Sequence, residues 1–128
     1  MNLDWYNTLN KPLFTPPSEI FAPAWLILYI LIFVSLYIFI KTRTDKSKSF
    51  GILLFVIQMG LNLLWSPVFF YFRDMKAAFY VIILLVIFLI LNIVSFYKIS
   101  KISAILLIPY LLWVCFAIYL NYGFMVLN

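Results

Sequence analysis

Four stretches without a charged side chain, Ile20 to Ile40, Phe50 to Phe72, Ala77 to Tyr97 and Ile102 to Leu127, take up most of this 128-residue chain. Each runs to about 20 residues or more, the length a helix needs to cross roughly 30 Å of hydrocarbon. The bulk figures agree, with 67% hydrophobic residues, 10% charged and a mean hydropathy of +1.13, far more apolar than an average soluble domain. The expected fold is an all-α integral membrane protein in which residues 1–128 form one compact unit. Its four transmembrane helices span about 20–40, 50–72, 77–97 and 102–127, leaving no room for a separate soluble domain.

The formal charge of +5 is not a stripe for nucleic acid, because the basic residues fill the links between spans. Lys41, Arg43, Lys46 and Lys48 occupy the first link, Lys98 and Lys101 the third, while Lys11, Arg73 and Lys76 fall on the opposite side. Six against three places the first and third links in the cytoplasm and both termini outside. The first link is also suited to contact with anionic lipid headgroups. The lysine asymmetry and the lack of a mitochondrial-type leader point to a prokaryotic cell membrane.

Met1 to Glu19 lacks the basic start and unbroken apolar stretch of a cleavable signal, so it is expected to be retained. Asp4 to Leu9 can form a short interfacial helix carrying Trp5 and Tyr6, whose rings suit the membrane boundary. A stiff loop follows, since Pro12, Pro16 and Pro17 each lack a donor and restrict the preceding residue. Such a loop serves either as a surface anchor or as a lid over a cavity, and composition favours the anchor. The stripe Phe21, Trp25, Tyr29 at the start of the first span reads most simply as an interfacial belt.

The second span is the informative one. Gln58, Asn62 and Trp65 stand at i, i+4 and i+7 and share one helical face. Amides there need partners inside a bilayer, so this face should look inward. Such side chains act either as glue between helices or as ligand contacts. Pro67 should kink the helix or free a carbonyl near Leu63. The third span is nearly uniform Ile, Leu, Val and Phe, with Asn92 and Ser95 its only polar points, and most of its surface is expected to face lipid. In the last span Pro109, Trp113, Ala117 and Asn121 recur every four residues, forming a slowly drifting stripe with a proline bend, an indole, a gap and an amide.

Several chemistries are absent. No carboxylate lies within a span, against a proton-coupled exchanger of the small four-helix multidrug type. There is no Ser/His/Asp constellation or phosphate-cradling glycine loop. With no histidine and Cys115 alone, neither a Cys/His metal site nor an internal disulfide can form, and Cys115 reads as packing. What remains is aromatic and amide: Tyr6, Trp25, Trp65 and Trp113 with Gln58, Asn62 and Asn121. Such a set holds flat, apolar, sparsely polar molecules.

Trp5-Tyr6, Leu9, Lys11-Pro12, Pro16-Pro17, Phe21-Ala22-Pro23-Ala24-Trp25 and Leu28-Tyr29 resemble the signature of the translocator protein family, the tryptophan-rich sensory proteins once called peripheral benzodiazepine receptors. The resemblance continues through Gln58, Leu61-Asn62, Trp65, Pro67 and Phe69-Phe70, and through Pro109 to Ala117 with Leu120-Asn121. It covers essentially the whole chain. It implies a helical membrane protein, often a homodimer, that binds porphyrins, sterols and synthetic aromatic ligands between its helices, under the loop holding Lys11-Pro12 and Pro16-Pro17. That shifts the reading of the loop from anchor to lid.

Carried over by motif, the ligand-binding positions are Tyr6, Trp25, Asn62, Trp65, Trp113, Phe116, Ala117 and Leu120. Some members degrade protoporphyrin in light or oxidant, and Trp25 and Trp113 would take the implicated places. Two departures stand out. The family has five spans, its first before the Trp-Tyr motif, whereas four residues precede Trp5 here, so the chain is a four-helix variant or incomplete. Tyr119 and Tyr122 are followed by no Lys or Arg, which leaves the weak sterol-recognition pattern unsupported and favours tetrapyrrole over sterol.

The function expected is that of a membrane receptor or carrier for porphyrins or similar flat hydrophobic ligands, requiring no cofactor or metal. Without histidine the chain cannot supply ordinary ligation of haem iron, so metal-free porphyrin should bind at least as well. The alternatives are a porphyrin-oxidising enzyme using Trp25 and Trp113, and a structural or regulatory membrane subunit whose polar face only joins helices.

Overall fold

The computed structural model describes residues 8–13 and 20–128; Trp5, Tyr6 and the Pro16-Pro17 pair lie outside the described residues. Helix α1 spans Phe21–Lys41, α2 Ser49–Ser66, α3 Met75–Tyr97, α4 Lys101–Leu106 and α5 Ile108–Leu127. Four helical stretches, Phe21–Lys41, Ser49–Phe69, Met75–Tyr97 and Lys101–Leu127, are long and apolar enough to cross a membrane.

Local chemistry sets the ends of these helices. Pro23 sits in the first turn of α1, where a missing N–H costs little. At the other end the Thr42 hydroxyl donates to Ile38 O at 2.7 Å and its backbone turns extended. Asp74 caps α3 by accepting from Ala77 N at 3.0 Å, and Ser100 caps α4 by accepting from Ser103 N.

Pro67 has no N–H to return to Leu63 O, in line with the expectation of a freed carbonyl there. Beyond it the second span continues as a π turn, Pro67–Tyr71, closed by Phe72 N donating to Pro67 O at 3.0 Å. Arg73 follows in a left-handed conformation at φ 57°. Pro109 differs from expectation. Pro109 does not bend the middle of a helix. It lies in the first turn of α5, just past the break at Leu107 that separates α4 from α5.

A bilayer gives no hydrophobic drive for helix to seek helix, so close approach and hydrogen bonds decide which helices meet. Helix α3 is the hub, packing against α2, α4 and α5, while α1 sits mainly on α4. Its buried residues Ala78, Ile82, Leu85, Leu89, Asn92 and Phe96 alternate steps of four and three, the seam of a left-handed helix pair. The rest of the span faces outward, as expected, with Tyr80, Leu84, Ile87, Ile90, Leu91 and Val94 exposed. Asn92 is buried and donates to Gly51 O at 3.4 Å. Near that point Phe39 stacks on Phe96 at 3.9 Å between ring centres, filling the space that Gly51 leaves. Cys115, expected to pack, is exposed on the outer face.

The N-terminal segment folds back over the end of α5. Asn10 N donates to Asn128 Oδ1 at 3.1 Å, and Asn128 Nδ2 donates to Asn10 O at 3.0 Å. The Tyr119 hydroxyl donates to Leu13 O, and Pro12 lies against Gly123. Leu9 packs on the apolar cluster of Phe21, Phe69, Leu120 and Phe124.

Candidate functional site

Beneath that segment, three spans converge on an aromatic cavity. Helix α1 contributes Phe21 and Trp25, the second span Trp65 and Phe69, and α5 contributes Trp113, Phe116, Ala117, Leu120, Asn121 and Phe124. The void at its centre is about 30 Å³, within roughly 450 Å³ of space between side chains counted out to the mouth. The smaller figure measures what the closed site can hold, about one water molecule.

The indoles meet edge to face. Trp25 and Trp113 lie 6.4 Å apart with their planes at 89°, and Phe21 abuts Trp113 at 6.2 Å. This arrangement satisfies the ring quadrupoles. Trp65 stacks on Phe69 at 5.3 Å, a contact made as the π turn brings Phe69 into the core. Its indole Nε1 donates to Asn121 Oδ1 at 2.9 Å, and Asn121 Nδ2 donates to Met75 O at 2.8 Å. One amide thus fixes an indole and ties α5 to the start of α3.

The floor is a polar chain. Tyr29 Oη donates to Asn62 Oδ1, Asn62 Nδ2 donates to Tyr110 Oη at 2.8 Å, and Tyr110 Oη donates to Gln58 Oε1 at 2.8 Å. It joins α1, α2 and α5, and it leaves Gln58 Nε2 without a partner among the described residues. Trp25 rests directly on it, 5.7 Å from Tyr29 and 6.4 Å from Tyr110.

Of the expected ligand positions, Trp25, Trp65, Trp113, Phe116, Ala117 and Leu120 line one cavity. Asn62 stands behind the wall, buried and bonded to both tyrosines. Tyr6 lies outside the described residues. The stripe Phe21, Trp25, Tyr29 turns inward instead of forming an interfacial belt, with Phe21 buried and the other two half-buried. Phe21, Phe69 and Phe124 also line the cavity and were missed as ligand positions; Phe21 and Phe69 fall within the motifs of the resemblance, and Phe124 carried no signal beyond its aromatic-rich segment. Tyr29 and Tyr110 were missed as partners of Asn62.

Fold and site together define a class, that of all-helical membrane proteins with an aromatic cavity enclosed between their spans. The TspO/MBR family pattern matches residues 1–127. Among similar proteins, the tryptophan-rich protein TspO of Chlorobaculum tepidum is 42% identical over 97% of this chain and 79% of its own length. That of Archaeoglobus fulgidus is 44% identical over 97% and 80%. The translocator protein of Ovis aries is 36% identical over 92% and 71%. The chain belongs to the TspO/MBR family and is an integral membrane protein.

Proposed function

We propose that this protein is a membrane receptor or carrier that takes porphyrins, or flat hydrophobic molecules like them, into the aromatic cavity. The observation that carries the reading is the convergence of Trp25, Trp65 and Trp113, from three spans, on one space. Indole faces and edges suit a flat ring system, and the lining offers few polar groups to be left unpaired. The closed void is far below the roughly 300–1,000 Å³ that drug-sized ligands need, so binding requires the side chains to part. Lys11-Pro12 lies in the segment pinned over this end, in keeping with a lid.

Titration of metal-free protoporphyrin into the protein in detergent, followed by tryptophan fluorescence, tests the proposal. Saturable quenching is expected, weakened in a Trp65→Ala, Trp113→Ala double variant. Equal quenching in both proteins refutes it. Trp113→Phe keeps the packing and guards against a variant that fails to fold.

A second reading is favoured by the edge contact of Trp25 and Trp113, two oxidisable rings side by side. On that reading the bound porphyrin is oxidised in light with dioxygen as the oxidant, and the indoles take part. Loss of visible absorbance on illumination at the rate seen without protein dismisses it. The bonded amides also serve a purely structural role, and strong porphyrin binding lost in Asn62→Leu without loss of folding would set that role aside as the sole one.

We further propose a prokaryotic cell membrane, a homodimer, and termini that face outward. Lys46 Nζ donates to Lys98 O at 2.9 Å, which brings the first and third links together at one end. In sequence order the other side carries Lys11, Arg73 and Lys76 against Asp4, Glu19 and Asp74, so the net charge of +5 belongs to the linked end. That end is the one the positive-inside rule retains in the cytoplasm.

A further inference from the structure

We infer that the groove between α1 and the start of α5, on the bilayer side of Trp113 and Phe116, is a second binding site. In it a flat apolar ring system is held on its way from the membrane to the inner cavity. The inference rests on the receptor reading above and adds the route and the waiting position.

Size is the first reason. The inner void is about 30 Å³, while the groove beside it is a shallow apolar depression open to the bilayer, where a flat ring can lie without any side chain parting. Continuity is the second. Trp113 and Phe116 line both spaces, so the wall between them is two side chains thick at most. The rest of the groove is Ala24, Ile27, Leu28, Pro109 and Leu112, apolar throughout and deepened by the small Ala24. Helix α1 packs mainly on α4 and only sparsely on α5, which leaves the gap unfilled.

The wall is also built to move. Trp65 is pinned by its hydrogen bond to Asn121. Trp113 makes no hydrogen bond among the described residues and is held by ring contacts with Phe21, Trp25 and Phe116 at 5.7–6.4 Å. Each ring contact is worth about 0.5–1.5 kcal/mol beyond the area it buries, so an aromatic ring arriving from the groove offsets part of what Trp113 gives up when it turns. Phe116 stacks on Tyr119, whose hydroxyl holds Leu13 O. The wall and the N-terminal segment are thereby connected. A ring system lying in the groove meets Trp113 from the lipid side, takes over its aromatic contacts, and passes inward as the indole swings.

Rapid-mixing measurements of protoporphyrin binding in phosphatidylcholine nanodiscs test the route. Ala24→Phe fills the groove without touching the inner cavity, and Leu112→Trp, at a 65% exposed position, narrows its lip without burden on folding. A portal is crossed in both directions, so association and dissociation should both slow by about tenfold while Kd stays nearly constant. Unchanged rates in both variants, with wild-type binding intact, overturn the groove route and leave the receptor reading standing. A wild-type protein that takes up no protoporphyrin overturns both. The occupant is tested by fluorine NMR with a trifluoromethyl label on the groove lip, in a Cys115→Ser, Leu112→Cys variant. A ring-current shift of the label on adding protoporphyrin, lost when Ala24→Phe is added, supports the site. A label unmoved at saturating protoporphyrin assigns the groove to an acyl chain and refutes the proposal.

Discussion

Gly123→Ala puts one methyl group where the N-terminal segment crosses α5. Built on the backbone of Gly123, the new Cβ would lie 2.5 Å from Pro12 Cβ and 2.8 Å from Pro12 Cγ, distances that real carbon pairs do not adopt. Helix α5 cannot yield, because Phe124 beside it is buried in the bundle at 1% exposure. Pro12 cannot fold its ring away, since the ring is closed onto its own backbone. The segment must lift instead, at an overpacking cost of about 1–3 kcal/mol. That strain falls on the bonds of Asn10 to Asn128 and of Tyr119 to Leu13 and spares the helical core. Hydrogen exchange read by mass spectrometry should therefore show faster exchange around Asn10, whose N–H is held by Asn128, by about 5- to 150-fold for that energy. Peptides from α3 should be unchanged. Protoporphyrin should also leave the cavity faster. Exchange unaltered around Asn10, or raised equally throughout α3, refutes the view that Gly123 is there to seat the lid.

Asn62→Leu removes one buried and one partly buried hydrogen bond and should lower resistance to unfolding in detergent by about 1–3 kcal/mol. Gln58→Leu should cost less, because it removes one bond along with a donor that had no partner; a reversed order by denaturant titration would contradict the polar-chain account. Trp65→Phe should loosen the second span from α5 by stranding Asn121 Oδ1, with a loss of about 1–3 kcal/mol and weaker porphyrin quenching. Gly51→Ala should destabilise by a similar amount, since its Cβ would sit 2.8 Å from Phe39 Cζ and 3.1 Å from Ser95 Oγ. Gly60→Ala, which meets nothing within 4 Å, should be neutral or stabilising by up to about 1 kcal/mol. Thermal melts of the glycine pair check that contrast.

What could be read from the residues alone follows from what a bilayer makes expensive. Uncharged runs define the spans because charge is costly in hydrocarbon, and Gln58, Asn62 and Asn121 point inward because amides there need partners. The same solvent hides the rest. For a chain surrounded by lipid, outside and inside are equally apolar, so the hydrophobic alternation that marks a buried face in water carries no contrast. Helix α3 illustrates the loss: Leu85 and Leu89 are in the core while Leu84 and Leu91 face outward, and no difference of residue type separates them. Trp65 was legible from the inward amide face it shares with Gln58 and Asn62, whereas Trp25 was placed inward only through motif resemblance, since a tryptophan near a span's end suits a membrane boundary as well as a cavity. The partner of each amide depends on how two helices are rotated about their axes, which spacing within one helix does not report. Hence Asn62 was found without Tyr29 and Tyr110. Small residues carry part of the missing information. Gly51 admits Phe39, Gly123 admits Pro12 and Ala24 leaves the outer groove open, whereas Gly60 admits nothing. A small side chain in such a helix marks a close approach only once the neighbour is known, and that neighbour lies up to 111 residues away, as Pro12 does from Gly123.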